Sequence, residues 1–401
     1  MRIVRKIIII ISKTVACIIA LAILAAAATS FSPVYRFRAA SPFKGPDIYN
    51  PYRDLDTSHC WKRANFHTHT KVDGPLNECE YYPDVVLERL ERLGYDIVTF
   101  SNHNSLTTHP LDSTLQVNVY EHGYNLLKYH KLVFGCKKVN HRDHLLPVFA
   151  FQKQHQINYL SESADFIQIN HPLRTNSFDH EQLEKLTGYR LIELDSGRST
   201  ENAYWDAALS AGHYSFGVAN DDLHYPDRSG RIGVRCNFLC CVSGRYKDIK
   251  SCLLSGCFYS MRVPDYGNGD WDVKYERNHN LPYVTEIGME GCTIYIGLSQ
   301  VADSIKVIGQ DHDILMRICG SDRLEYEIEP NDCYARIIAY MPEGEVIYTN
   351  PFARYDSSLS DSPYDNTPLK VNILLTILFN LAVVLVCLGD IYLIYLIISV
   401  R

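Results

Sequence analysis

Two pairs of donor residues stand two positions apart in this chain: His67 and His69 around Thr68, and Asp222 and His224 around Leu223. On an extended chain, residues i and i+2 face the same way, so each pair can present two ligands to one ion. His103 follows DIVTFSN, His155 follows LLPVFAFQKQ, His171 follows DFIQIN and precedes Pro172, and Glu193 lies in RLIEL. Imidazole and carboxylate without thiolate suit zinc, manganese or iron. Such ions acidify water and polarise an ester, so the chemistry expected is metal-dependent hydrolysis. A single histidine is ordinarily a hydrogen-bonded core or surface residue, and His109, His122, His130, His141, His144, His180 and His213 are read that way among the sixteen. The first group differs because each member recurs at the same place relative to an apolar run.

Those runs are the elements that must position the ligands. ANFH (64–67), DIVTF (96–100), LLPVFAF (145–151), DFIQI (165–169), RLIEL (190–194), YSFGVA (214–219) and NFLCCV (237–242) read as strands. PDVVLERLERL (83–93) carries apolar residues at helical spacing and ends at Gly94. Alternation of strand and helix, with continuous apolar strands buried on both faces, predicts a parallel sheet or barrel over 61–262. Strand C-termini of a β/α barrel open onto one mouth, where catalytic side chains gather. From about 263 to 356 strand-like runs such as CTIYIGL, DILMRIC and YARIIAYM succeed one another with no convincing helix, which predicts a small β-sandwich.

The flanks are of another character. Residues 7–28 form a 22-residue apolar stretch interrupted at Lys13, and 371–400 a second of 30 residues with Asn372, Asn380 and Asp390 inside it. Each is long enough to span a bilayer. Residues 1–28 read as a transmembrane helix or signal anchor, with a cleaved signal peptide as the alternative. Both place the basic end in the cytoplasm and the middle of the chain outside. Asp390 would be costly in a span and points to a helix partner or a place near the interface. Residues 29–60 and 357–370 read as linkers. The first 28 residues hold four cations and no acid, so the remainder carries −11 of the net −7; an acidic body argues against nucleic acid as partner. Among the thirteen cysteines, the cluster Cys236, Cys240, Cys241, Cys252 and Cys257 lacks zinc-ribbon spacing and reads as small buried side chains.

The succession NFHTHTKVDG, TFSNHNS, INHP and ANDDLH resembles the polymerase-and-histidinol-phosphatase (PHP) family, over about 200 residues from Trp61 to Arg262. The resemblance implies a distorted seven-stranded β/α barrel that binds two or three divalent metals and hydrolyses phosphate esters. Residue by residue, it implies metal ligands at His67, His69, Asp73, His103, His155, His171, Asp222 and His224. Asp73 sits in VDG rather than the usual SDG and one residue closer to His69 than usual, and Asn102 replaces a customary Asp. The family also places a metal-bridging glutamate just after the third strand, where FAFQ offers Gln152. A neutral amide cannot bridge two cations as a carboxylate does. Glu193 is either its substitute or a residue that shapes the barrel mouth. YVTEIGMEG and YMPEGEVIYTNP resemble the β-sandwich tail of membrane-associated and secreted members.

The expected activity is that of a membrane-anchored phosphoesterase with its catalytic domain outside the cytoplasm, acting on a small phosphoester or a phosphorylated envelope component. Arg174, Arg228 and Arg231 are candidates to hold substrate phosphate. Two alternatives stay open: an eroded barrel that serves as a binding or scaffold module, and a hydrolase of a non-phosphate ester.

Overall fold

A computed structural model describes residues 2–55, 61–74, 77–172, 179–195 and 202–399. Helix α1 (Arg2–Ala28) leads into two short strands, β1 (Tyr35–Arg36) and β2 (Asp47–Tyr49), so the expected linker before residue 60 is partly ordered into the sheets. The site-bearing region follows, with β3 (Lys62–Asn65), α2 (Pro83–Arg92), β4 (Ile97–Val98), β5 (Val119–His122), β6 (Lys131–Phe134), α3 (Ala150–Ser161), β7 (Phe166–Ile169), α4 (His180–Leu183), β8 (Leu191–Asp195), α5 (Asn202–Ser210), β9 (Phe216–Ala219), β10 (Arg235–Leu239), α6 (Tyr246–Ser255) and β11 (Phe258–Arg262).

Two sheets share the work. The first has the order β5-β6-β7-β8-β9, antiparallel through β7 and parallel from β7 to β9. In the second, β4 pairs parallel with β3, and β10 joins β3 to β11 by antiparallel pairing. Two isolated parallel bridges, His103 to Glu121 and Thr68 to Leu223, stitch the sheets at the ends where the ligands lie. The expected seven-stranded barrel is not seen closed: the ring is carried across those seams by single bridges rather than by continuous ladders.

Local causes are visible. Pro83 occupies the first turn of α2, Val86, Leu87 and Leu90 bury one stripe, and Gly94 at φ +82° turns the chain away. Strands β7 and β9 are buried throughout, as runs covered on both faces must be. At Gly217 in β9 a Cβ would collide with Leu194 and Trp205, so glycine lets α5 pack directly on the sheet.

One expected strand is not a strand. Residues 145–149 form a loop, and 150–161 form α3. The run LLPVF is apolar because Leu145, Leu146, Val148 and Phe149 line a groove against α1 and the last helix, not because it crosses the core. The strands that fill the sheet instead, β5 and β6, come from VYEH and KLVF, which the apolar pattern passed over.

The C-terminal part contains α7 (Trp271–His279), β12 (Val284–Glu290), β13 (Thr293–Ile308), β14 (Ile314–Glu327), β15 (Tyr334–Tyr340), β16 (Val346–Thr349), β17 (Phe352–Tyr355) and β18 (Lys370–Val371). Helix α7 interrupts what read as an all-β region. Strand β16 pairs with β11 from Tyr259↔Thr349 to Arg262↔Val346, so the antiparallel strands continue the site-bearing sheet. Across this junction Arg336 of β15 makes a fully buried ion pair with Asp206 of α5, which also accepts from the Tyr334 hydroxyl.

Helix α8 (Ile373–Ser399) packs on α1. Ile3–Ala28 and Ile373–Ser399 are each long and apolar enough to cross a membrane. The polar residues within α8 have partners at its start: Asn380 Oδ1 accepts from Ser32 N at 3.1 Å, and Thr376 Oγ1 accepts from Val34 N at 2.9 Å. Asp390 is buried in the helix pair.

Candidate metal centre

The ligands meet because each leaves the end of a strand. Chain leaving β3 carries His67 and His69, chain leaving β4 carries His103, β5 ends on Glu121 and His122, and β7 and β9 lead into His171 and Asp222. His171 and Asp222 hold positive φ angles of 26° and 48°, left-handed conformations that non-glycine residues rarely adopt. Such strain persists where surrounding structure fixes the position, and it clusters at functional sites.

Glu121 is the hub, and apolar patterning gives no sign of it. Its Oε2 stands 3.2 Å from His67 Nε2, 3.2 Å from His69 Nε2 and 3.0 Å from His103 Nε2. Its Oε1 stands 3.1 Å from His130 Nδ1 and 3.2 Å from His171 Nε2. Each oxygen therefore faces a separate set of imidazoles, the disposition of a carboxylate that bridges two ions. Asp222 Oδ1 adds contacts of 3.1 Å to His67, 3.4 Å to His69 and 3.1 Å to His224. Three overlapping groups have all their ligand atoms within 4.8 Å of one another: His67, His69, Glu121 and Asp222; His69, Glu78 and His103; His103, Glu121 and His130.

Several sequence-derived ligands lie elsewhere. Asp73 is exposed and belongs to none of these groups; Glu78, 2.9 Å from His103 Nε2, stands there instead. His155 sits on α3, where its Nε2 accepts from Arg142 at 2.8 Å and its Nδ1 meets the Tyr35 hydroxyl at 3.3 Å. Burial and then Arg142 hold its pKa down to about 4. Gln152 caps the start of α3, its Oε1 accepting from Phe149 N and its Nε2 donating to Ser30 O. Glu121, and not Gln152, stands among the imidazoles, so the amide at 152 removes nothing from the cluster. His130, read as an ordinary histidine, is in the cluster. Arg174 lies outside the described residues. Arg228 and Arg231 line a hollow of about 610 Å³ that also takes in Lys128, Glu78, Asp222 and His224. The Arg228 guanidinium is stacked 4.3 Å over the Tyr225 ring.

An outer layer aims the rings. Glu193 Oε1 is 3.1 Å from His67 Nδ1 and accepts from Asn220 Nδ2 at 3.0 Å, while its Oε2 accepts from His171 N at 2.9 Å. A carboxylate on Nδ1 fixes the tautomer that leaves the Nε2 lone pair pointing inward, the usual support of a metal-bound histidine. Asn102 is also a positioning residue: it accepts from Thr70 N and donates to the Thr70 and Thr107 hydroxyls, locking the turn after His69.

Electrostatics favour a cation. Burial opposes charge on His67, but Glu121, Asp222 and Glu193 outweigh it and raise the ring well above its ordinary 6.5. Burial also opposes ionisation of Glu121 and Asp222. Imidazoles outweigh it, His103 foremost for Glu121 and His67 for Asp222, and both carboxyls lie well below the usual range. His130 goes the other way, held down to about 3 by burial despite Glu121. The Nε2 atoms of His67, His69 and His224 are buried and make no hydrogen bond among the described residues. Buried lone pairs converging on carboxylate oxygens, without a proton properly shared, fit divalent metal ions.

No family model matches the chain, and no curated protein matches it. Among solved structures it is similar to a two-domain protein from Bacteroides vulgatus ATCC 8482 that contains a predicted PHP-like metal-dependent phosphoesterase. The identity is 14%, with 78% of this chain and 99% of that chain covered and a TM-score of 0.41. At that score the likeness does not fix the fold, and the site is read from its own geometry.

Proposed function

We propose that this protein is a membrane-anchored, metal-dependent phosphoesterase whose site lies on the extracytoplasmic side. The observation that carries the reading is the division of Glu121 between two imidazole sets within three overlapping ligand groups. His67, His69, Glu121 and Asp222 would hold one ion, and His103, Glu121, His130 and His171 a second, with Glu78 beside His69 and His103 able to complete a third. The chemistry such ions supply when bound is polarisation of a phosphoryl oxygen and acidification of water. The chain's own part is to orient and to attract. Glu193 and Asn102 fix the ligands, while Lys128, Arg228 and Arg231, which line the same hollow as Glu78, Glu80, Asp221, Asp222 and Asp227, are the groups there able to hold an anionic ester. Divalent ions bound at the cluster, together with those three cations, would favour a phosphoester over a neutral ester. The scaffold reading loses its chief motive now that Gln152 is accounted for as a helix cap.

The test is elemental analysis of the purified full chain together with hydrolysis of bis(p-nitrophenyl) phosphate and p-nitrophenyl phosphate. The expected result is at least one bound ion per chain and turnover that disappears with chelator and returns with zinc, manganese or iron. Protein that binds no ion and cleaves neither ester overturns the proposal.

A further inference from the structure

A second cavity has a lining residue, Leu126, two positions along the chain from Lys128 of the first. An apolar groove of about 640 Å³ is walled by α1 from Ile19 to Ala27, by α8 from Phe379 to Val386, and by Leu126, Val148 and Phe149 of the globular part. That volume is in the range of small-molecule sites, about 300–1,000 Å³. Those last three residues are 67%, 52% and 51% exposed, unusual for large apolar side chains beside a site.

The groove is held firmly in place. Leu145 N donates to Thr29 Oγ1 at 3.0 Å, Leu126 N donates to Leu145 O at 3.0 Å, and the Phe151 ring meets Phe379 edge-on at 4.9 Å. Its depth identifies the occupant. Ile19 lies nine residues inside the end of α1, about 13 Å along a helix at 1.5 Å per residue. One leaflet of a bilayer is about 15 Å of hydrocarbon. A slot of that depth, between two helices of membrane-spanning type, opens to acyl chains rather than to water.

One short stretch of chain serves both the groove and the metal-ligand cluster. Leu126 lines the groove, Lys128 lines the hollow beside the ligands, and His130 is itself in the cluster. Two residues of extended chain cover at most about 7 Å and four at most about 14 Å, so groove and cluster are neighbours. The connecting turn is rigid: Asn125 Nδ2 donates to Tyr129 O and Asn125 Oδ1 accepts from Tyr129 N.

From this juxtaposition we infer that the substrate is a long-chain lipid phosphoester, its acyl chain in the groove and its phosphate at the metal-ligand cluster beside Lys128, Arg228 and Arg231. The inference rests on the phosphoesterase reading and names its substrate class. In the hydrolysis, water's oxygen bonds to phosphorus, the phosphorus–oxygen bond to the alcohol breaks, and a proton from that water goes to the departing alkoxide.

The experiment uses the full, metal-loaded chain in dodecyl maltoside micelles. Dioleoyl and dibutyryl forms of phosphatidic acid and of phosphatidylglycerol are compared, with bis(p-nitrophenyl) phosphate as a soluble control. For at least one head group, the dioleoyl form is expected to show kcat/KM at least tenfold above the dibutyryl form. Leu126→Asp/Val148→Asp should bring that ratio toward one, and so should Ala22→Trp, which fills the groove from the α1 side. Either variant is assessed only where metal content matches the parent. Equal rates for both chain lengths, a ratio untouched by both variants, or cleavage of the soluble control alone would overturn the inference and leave the phosphoesterase reading standing. Absence of turnover on every ester overturns both.

Discussion

Glu121 offers its two oxygens to different imidazoles, so its loss should be felt by more than one ion. Glu121→Gln keeps the shape and removes the charge, and it is expected to lower bound metal to half or less and to abolish turnover. Gln152→Ala should leave metal content unchanged, and elemental analysis of the two variants separates the assignments directly. The outer layer predicts a milder effect: Glu193→Gln weakens the hold on His67, with metal affinity expected to fall about 10–100-fold. pH dependence follows from the same charges. In the metal-free protein, His67 is raised above its ordinary 6.5, so its contribution is complete below that value and is lost as pH climbs through the raised one. Glu121 and Asp222 are depressed from 4.5 and 3.8, so theirs is complete above those values and is lost on acidification. The combined contribution of these three groups should therefore be greatest between about pH 4.5 and 6.5, while His130 and His155, held down to about 3 and about 4, lose theirs as pH falls below 6.5. A bound ion replaces the proton on His67, so added metal should raise Tm most on the alkaline side, and its affinity should rise with pH. A melting profile unchanged by metal at pH 8 would contradict this. The HxH and DxH pairs were legible in the sequence because spacing of two on an extended chain is a geometric statement. Glu121 and His130 were not, because nothing in VYEHG or YHKLV marks one charged residue as facing inward until the strands are paired.

Helices and strands explain the remaining misreadings and carry their own prediction. Apolar runs at 165–169, 190–194 and 214–219 fell on β7, β8 and β9, since a strand covered on both faces has to be apolar. The run at 145–151 satisfied the same rule for another reason, contact with two apolar helices, and periodicity alone does not separate the cases. The opposite error hid β5, whose four residues are all buried although half of them are ionisable. That is what a strand at a metal centre looks like. The C-terminal strands were recognised as strands, but β13 and β14 are single long strands where the apolar runs 292–298 and 303–309, and 313–319 and 324–329, read as two each. The Asp206–Arg336 pair adds to the β11–β16 pairing that joins this sheet to the site. Asp206→Ala would leave a guanidinium with 0% exposure facing nothing of opposite charge. Removing one partner of such a pair costs about 3–5 kcal/mol. Denaturant unfolding should show that loss, and an effect under about 1 kcal/mol would mean that the pair adds little to the β11–β16 pairing.

The arrangement of the whole molecule turns on where the two apolar helices leave it. Strands β1 and β18 pair, Tyr35 with Val371 and Arg36 with Lys370, and Asn372 N donates to Val34 O at 2.7 Å. Thus α1 ends and α8 begins at the same two-stranded ribbon, and the helices run side by side away from the globular part. The 26 residues of Ile3–Ala28 extend about 39 Å at 1.5 Å per residue, enough for about 30 Å of hydrocarbon with some tilt. If both helices span, the globular part lies on one side and both ends of the chain on the other. Arg2, Arg5 and Lys6 at the outer end of α1 favour the cytoplasm for the ends. Cys292 and Cys319 are exposed on the globular part and serve as reporters. On intact cells a membrane-impermeant maleimide should label the protein, and Cys292→Ser/Cys319→Ser should lose most of that label. Epitopes fused at residue 1 and at residue 401 should both resist added protease until the membrane is opened. Labelling that requires permeabilisation would place the site in the cytoplasm. One epitope protected and the other cleaved would break the two-helix anchor and, with it, the placement of the acyl groove in the leaflet.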